Sequence, residues 1–372
     1  MKQDKRKLFL EILPSIIAIL IGLLCGWYVM FVTNPVDSWG GIWTIIKGAF
    51  NAGRGSVGQL FYTAAPIVLT GMAVGFSIKT GLFNIGASGQ FTVGAFAAIL
   101  VGCKATALPA GIHCAAAILA GMAAGALWGF ISGALKAYFG VNEIISGIML
   151  NYTGMLLVNL LIKTFVYDSV FNRSADVAEG AQLSSGFTES FLPGSHLNLA
   201  FVFAVAAVII IKIILDRTTL GYELKITGKN RFAGVYAGID DKKSIILAMI
   251  ISGALAGLGG ALMYLCDFGD HIVVVEEVLP QGFSGISVAL LGMCDPIGII
   301  IAGLFISYIT VGGNYLQLYS FTPEVVKMII SILIALALTM VILCLISDNP
   351  MQAIKTILTG PLTKKRYIIA YV

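Results

Sequence analysis

The 372 residues are 58% hydrophobic and only 11% charged, with 23 Lys and Arg against 19 Asp and Glu, and the mean hydropathy is +0.94. Soluble domains carry about 25% charged residues, so this composition excludes a soluble globule. The formal charge of +4 is not gathered into a basic stripe interleaved with aromatics, which sets nucleic acid aside as a partner.

Met1–Lys7 is basic and leads into Leu8–Val32, an apolar run too long for a signal-peptide core and without a clear cleavage site, so it reads as a retained first membrane helix. Apolar stretches near the membrane-spanning length follow at Leu60–Ile78, Pro109–Leu135, Ile144–Val166, Leu197–Leu215, Ser244–Cys266 and Val325–Ile346. Three more are shorter or interrupted by glycine: Gly86–Val101, Gly282–Gly292 and Pro296–Val311. The reading is an all-α polytopic membrane protein of about ten spans, with Gly282–Gly292 a half-helix or re-entrant piece. Many of the 43 glycines lie inside these runs, where they let helix backbones approach closely. The whole chain, 1–372, reads as one transmembrane domain: residues 1–59 a first helix and outer segment, 60–346 the core, and 347–372 a cytoplasmic tail.

With alternating spans and a cytoplasmic N-terminus, 17 of the 23 Lys and Arg fall inside, and ten of the 19 acids fall outside. This satisfies the positive-inside rule, and only an even count puts Lys2–Lys7 and Lys364–Arg366 on the cytoplasmic side together. Two polar loops are long: Asp168–His196 outside and Asp216–Lys243 inside. Gly81–Gln90 and Gln281–Ser287 each open a short apolar segment after spans that run in opposite directions, which suggests an inverted repeat.

No phosphate-binding loop occurs; around Gly228, Lys229 and Asn230 the magnesium-binding hydroxyl and the upstream glycine are missing. ATP hydrolysis must therefore be done by another chain. Metal ligation is not expected, because His113, His196 and His271 are scattered and the six cysteines lack paired spacing. The spans hold almost no ionisable residue near their centres, which counts against an ion-coupled secondary transporter. What remains there is uncharged polarity: Asn84, Ser88, Gln90, Asn142, Asn151, Tyr152, Asn159, Ser284 and Ser287. Such groups either offer exchangeable hydrogen bonds to a hydroxyl-rich solute or bond helix to helix. Phe83, Phe91 and Tyr152 are equally suited to stacking on a base or to packing. The substrate pathway is assigned to Phe83, Asn84, Gln90, Asn142, Asn151, Tyr152 and Ser284.

In the inner loop, Asn230 caps a short helix through Ala237 that Gly238 closes. Its exposed Phe232 and Tyr236, beside small Ala233 and Gly234, suit docking into a partner.

The run Thr218–Ile239 looks like the cytoplasmic coupling loop of ABC-importer permeases in the ribose and branched-chain amino acid superfamily. Gly81–Gln90 resembles the signature GLFNIGAEGQ of that superfamily. Phe139–Ile145 with Met149–Tyr152, and Gly285–Gly292, are similar to motifs of its nucleoside and simple-sugar branch, and the likeness extends from about Leu60 to Ile346 in order. Ser88 departs from the usual Glu, so no role of that carboxylate carries over, and Met293–Asp295 stands where polar or basic residues are common. The resemblance implies a fold similar to the vitamin B12 importer (type II) and a permease subunit translocating nucleosides, with ribose or galactose as the alternative. It further implies a related second permease in a heterodimer, an external substrate-binding lipoprotein, and a cytoplasmic ABC ATPase that holds ATP and Mg while this chain binds no cofactor. In that arrangement Gly221, Asn230, Arg231, Phe232, Ala233, Gly234, Tyr236, Ala237 and Gly238 form the ATPase-coupling loop.

Overall fold

The computed structural model describes residues 23–51, 53–183, 199–266, 271–319, 321–322 and 325–335. In chain order the helices are α1 (Leu23–Thr33), α2 (Ser38–Lys47), α3 (Arg54–Lys79), α4 (Ala87–Lys104), α5 (Ala110–Phe139) and α6 (Glu143–Phe165), then α7 (Ala200–Arg217), α8 (Thr219–Lys229) and α9 (Arg231–Tyr236). They are followed by α10 (Asp241–Tyr264), α11 (Gln281–Leu291), α12 (Pro296–Asn314) and α13 (Val325–Ala335). Between α6 and α7 a two-residue antiparallel pair joins β1 (Tyr167–Asp168) to β2 (Arg173–Ser174), Tyr167 opposite Ser174. Among the described residues α3, α4, α5, α6, α10 and α12 are long and apolar enough to cross a membrane. The segment expected at Gly282–Gly292 is a short helix, α11. The first and last expected spans extend beyond the described residues, as does part of the outer loop.

The chain divides into two compact units, residues 49–311 and residues 1–48 with 312–372. The larger unit is built on glycine. α5 carries Gly121, Gly125, Gly129 and Gly133 at four-residue spacing, so all four lie on one face, and all are buried. That face meets α10 backbone to backbone: a Cβ on Gly125 would lie 2.4 Å from Gly253 O, and one on Gly253 would lie 2.3 Å from Gly125 O. α4 joins the same contact, since a Cβ on Gly94 would lie 2.5 Å from Gly257 Cα. Lipid is as apolar as leucine, so close packing and hydrogen bonding, rather than water exclusion, hold such helices together. The opposite face of α5 leaves Leu119, Leu127, Phe130 and Ile131 exposed, the pattern of a surface turned to hydrocarbon. Gly140, in the left-handed region, ends α5 and donates to Lys136 O, while Val141 N donates to Leu135 O.

One end of this unit is capped by the β pair and by residues 271–280. Val274 N donates to Asn172 O, Ala178 N to Gly102 O and Leu183 N to Leu265 O. A buried cluster lies beneath, with Phe91, Phe96, Ile99, Val158, Ile162, Tyr264 and Ile272.

In the smaller unit α2 was not anticipated as a helix within the outer segment. Its buried face, Ile42 and Ile45 beside Gly41, packs where a Cβ on Gly41 would lie 2.9 Å from Met30 Sδ. Trp39 and Trp43 stay exposed, as membrane-interface tryptophans do.

Candidate translocation and coupling site

The polar residues that the sequence singled out converge where the chain leaves α3 and enters α4. Gly81, at φ 76°, turns the backbone so closely against α8 that a Cβ there would lie 2.3 Å from Gly228 Cα. Residues 81–86 are non-helical, so their backbone groups need partners that lipid does not supply. Leu82 N donates to Ser77 O at 2.9 Å and Asn84 N to Ser77 Oγ at 3.2 Å. The Asn84 Nδ2 group donates to Gln90 Oε1 and to Ser252 Oγ, both at 2.7 Å, and Ser252 Oγ in turn donates to Ala73 O at 2.7 Å. From α6, Asn151 Oδ1 accepts from Gly89 N at 2.7 Å while its Nδ2 donates to Ile85 O at 3.0 Å. Asn151 thereby caps the start of α4 from a neighbouring helix.

In this structure Asn84, Gln90 and Asn151 do not line an open wall. All three are buried, at 0%, 1% and 2% exposure, and their amides are engaged in bonds that hold a broken helix together. The remaining assigned residues do not form one cluster with them. Asn142 is exposed and caps α6 through Ile144 N. Tyr152 is 56% exposed on the outer face of α6, beside Met149 and Leu156. Phe83 and Ser284 are half-buried. Sequence reasoning missed Ser77 and Ser252 as partners of Asn84, and Thr70, whose Oγ1 donates to Gln281 O at 3.0 Å. Nothing local marks them, because a serine inside an apolar helix commonly bonds its own preceding turn.

The inner loop forms two helices. Thr218 Oγ1 accepts from Gly221 N to start α8, and Gly221 is buried so tightly that a Cβ would lie 2.1 Å from Ile214 O. Asn230 Oδ1 accepts from Ala233 N at 3.1 Å and starts α9, and Gly238 follows its end in the left-handed region. Arg231 pairs with Asp241. Asp240 caps α10 by accepting from Lys243 N, and that backbone hydrogen bond is the main cause holding its carboxyl below the ordinary value. α9 offers Phe232 at 86% and Tyr236 at 96% exposure, with Val235 between them. Ala233 and Ala237 are exposed as well, whereas Gly234 is buried and its hydrogens face Thr227 and Ile226 of α8. Gly234 thus seats α9 on α8, and the small residues that α9 leaves exposed are Ala233 and Ala237.

Membrane-length helices joined backbone to backbone, a helix that begins inside the bundle and a paired-helix loop with bare aromatics define a membrane permease. The chain belongs to the family described as the branched-chain amino acid transport system / permease component, whose model matches residues 56–338. It is 37% identical over 329 residues to the guanosine ABC transporter permease protein NupP of Bacillus subtilis, spanning 87% of this chain and 92% of that one. It is 34% identical over 331 residues to the nucleoside ABC transporter permease protein NupB of Lactococcus lactis, spanning 87% and 90%. The glucose ABC transporter permease protein TsgB13 of Haloferax volcanii is 29% identical over 334 residues, spanning 87% and 86%. No solved structure matches the chain. The chain is a transport subunit and not an enzyme.

Proposed function

We propose that this permease carries nucleosides into the cell, driven by a separate ABC ATPase that docks on α8 and α9. The substrate class is supported by the guanosine and nucleoside permeases, each alike over most of its own length. The docking site is supported by Phe232 and Tyr236, two aromatics four residues apart on one helical face with almost no contact in this chain. A related second permease subunit completes the pathway. Supporting this are the further likenesses to NupQ of Bacillus subtilis, 29% identical, and NupC of Lactococcus lactis, 25% identical, alongside NupP and NupB from the same organisms. An external binding lipoprotein delivers the solute, and both termini are cytoplasmic. In this reading the pathway runs along exposed surfaces such as the Tyr152 face of α6, while Asn84, Gln90 and Asn151 brace the helices behind it.

Cells deleted for the gene and then restored with it should regain ATP-dependent uptake of labelled guanosine, with no gain for ribose or glucose. The likeness to the glucose permease supports a second reading, simple-sugar import, and restoration of sugar uptake alone would select it.

A further inference from the structure

The start of α4 and the start of α11 meet head to head. A Cβ on Gly282 would lie 2.3 Å from both Ser88 N and Ser88 Oγ, and one on Gly285 would lie 2.8 Å from Thr70 Oγ1. Thr70 is nine residues before Lys79 in α3, about 13 Å of helix rise from its end, so the joint is inside the bundle. Each helix start carries about half a positive charge. Neither N-cap residue makes a side-chain cap and neither first turn holds an acid; Asn151 Oδ1 meets Gly89 N in the first turn of α4, the start of α11 has no such cap, and α3, α4 and α11 contain no Asp or Glu anywhere.

Ser88 is 0% exposed, and among the described residues its Oγ has no hydrogen-bond partner; Gln281 is half-buried, and its inaccessible Oε1 atom is also unpartnered. Buried polar atoms are normally paired, so two orphans beside the uncapped start of α11 require a reason. The other end of α11 is also strained. Met293 and Cys294 both hold φ near 55°, at 56° and 55°, in the left-handed region that is costly for residues with a Cβ. Such backbone strain clusters at ligand clamps and switch regions.

We propose that the α4–α11 joint is a concealed solute-contact site, opened when α11 parts from both α3 and α4 during the transport cycle. Opening frees Ser88 Oγ, the Gln281 amide and the first-turn N–H groups of α11. That set both donates and accepts, which suits the hydroxyl and carbonyl oxygens of a neutral, hydroxyl-rich solute; a carboxylate or phosphate would leave Gln281 Oε1 without a donor. A continuous set of contacts leads there from the docking surface. Gly234 of α9 packs on Thr227 of α8, Gly228 of α8 on Gly81, and Asn84 bonds Gln90 inside α4. The inference rests on the transport reading but not on the identity of the solute.

A disulfide provides the test. In a chain whose native cysteines are replaced, Gly75→Cys and Ala289→Cys join α3 to α11. The Cβ positions are 3.7 Å apart, within disulfide range, and the nearest obstacle is the flexible end of Ile299. Oxidation of the double variant should cut ATP-driven uptake by about tenfold or more, with recovery on reduction and normal uptake in each single variant. Wild-type uptake by the fully cross-linked protein overturns the proposal. Ser88→Cys supplies a measurement that needs no transported solute and no altered glycine. Its reaction with a small charged methanethiosulfonate, in the complex with its ATPase, should accelerate about tenfold when ATP is added. Equal reaction with and without ATP, or none in either, refutes the opening. If guanosine uptake fails while ATP-dependent labelling persists, the nucleoside reading falls and the joint stands.

Discussion

Asn151 illustrates how a polar side chain in a membrane helix can be structural. Replacing it with leucine leaves Gly89 N and Ile85 O, now its partners at 2.7 and 3.0 Å, without bonds in a setting where water is scarce. Each such orphan costs about 1–3 kcal/mol. Asn151→Leu and Asn84→Leu should therefore lower the thermal midpoint and the membrane abundance of the purified complex together with uptake. Variants with an unchanged midpoint but lost uptake would return these residues to the pathway wall. The sequence made half of this legible: Gly81, Gly86 and Gly89 in one decapeptide announce a broken helix, and a break needs polar company. It did not reveal which company, because Ser252 is 168 positions from Asn84 and pairing over that separation has no local trace.

Among whole elements, legibility follows length and chemistry. α5, α6 and α10 stand out in a twenty-residue window, and α9 is delimited by Asn230 and Gly238, whose cap and left-handed turn the structure contains. α2 was lost because ten residues are too few for such a window, and α8 because its polar outer face dilutes its apolar stripe. The α5–α10 seam gives the sharpest element-level expectation. Gly125→Leu should abolish assembly, since the 2.4 Å approach to Gly253 O is to backbone, which cannot rotate away. Recovery of normal amounts of folded complex would show that the seam can spread. α9 should respond differently. Phe232→Ala and Tyr236→Ala remove side chains that are 86% and 96% exposed, so the permease should fold with stability within about 0.5 kcal/mol of wild type. Co-purification of the ATPase should fall, and undiminished co-purification would place docking elsewhere. Gly234→Trp is the poorer test, because it would lift α9 off Thr227.

For the larger unit as a whole, the distribution of charge fixes an orientation. The end capped by the β pair gathers Asp168, Asp176, Glu179, Glu276 and Glu277 against Lys104, Lys163 and Arg173, with Arg173 close to both Asp168 and Asp176. The end bearing α8 and α9 gathers Arg217, Lys225, Lys229, Arg231, Lys242 and Lys243 against Asp216, Glu223, Asp240 and Asp241, so its basic residues outnumber those of the capped end. Basic residues are retained on the cytoplasmic side during insertion, so the expected orientation has the capped end facing out and the paired-helix end facing in, where ATP is available. This follows from fixed charges within one folded unit and does not depend on how many spans lie outside it. Phe171, at 64% exposure, marks the outer end, and Tyr236 marks the inner one. In a cysteine-free chain produced without the ATPase, Phe171→Cys should react with an impermeant maleimide in intact cells, and Tyr236→Cys only after the membrane is permeabilised. Labelling of Tyr236→Cys from outside would invert the unit, and an inverted unit would present its docking aromatics to a compartment without ATP, so the coupling reading would fall with the orientation.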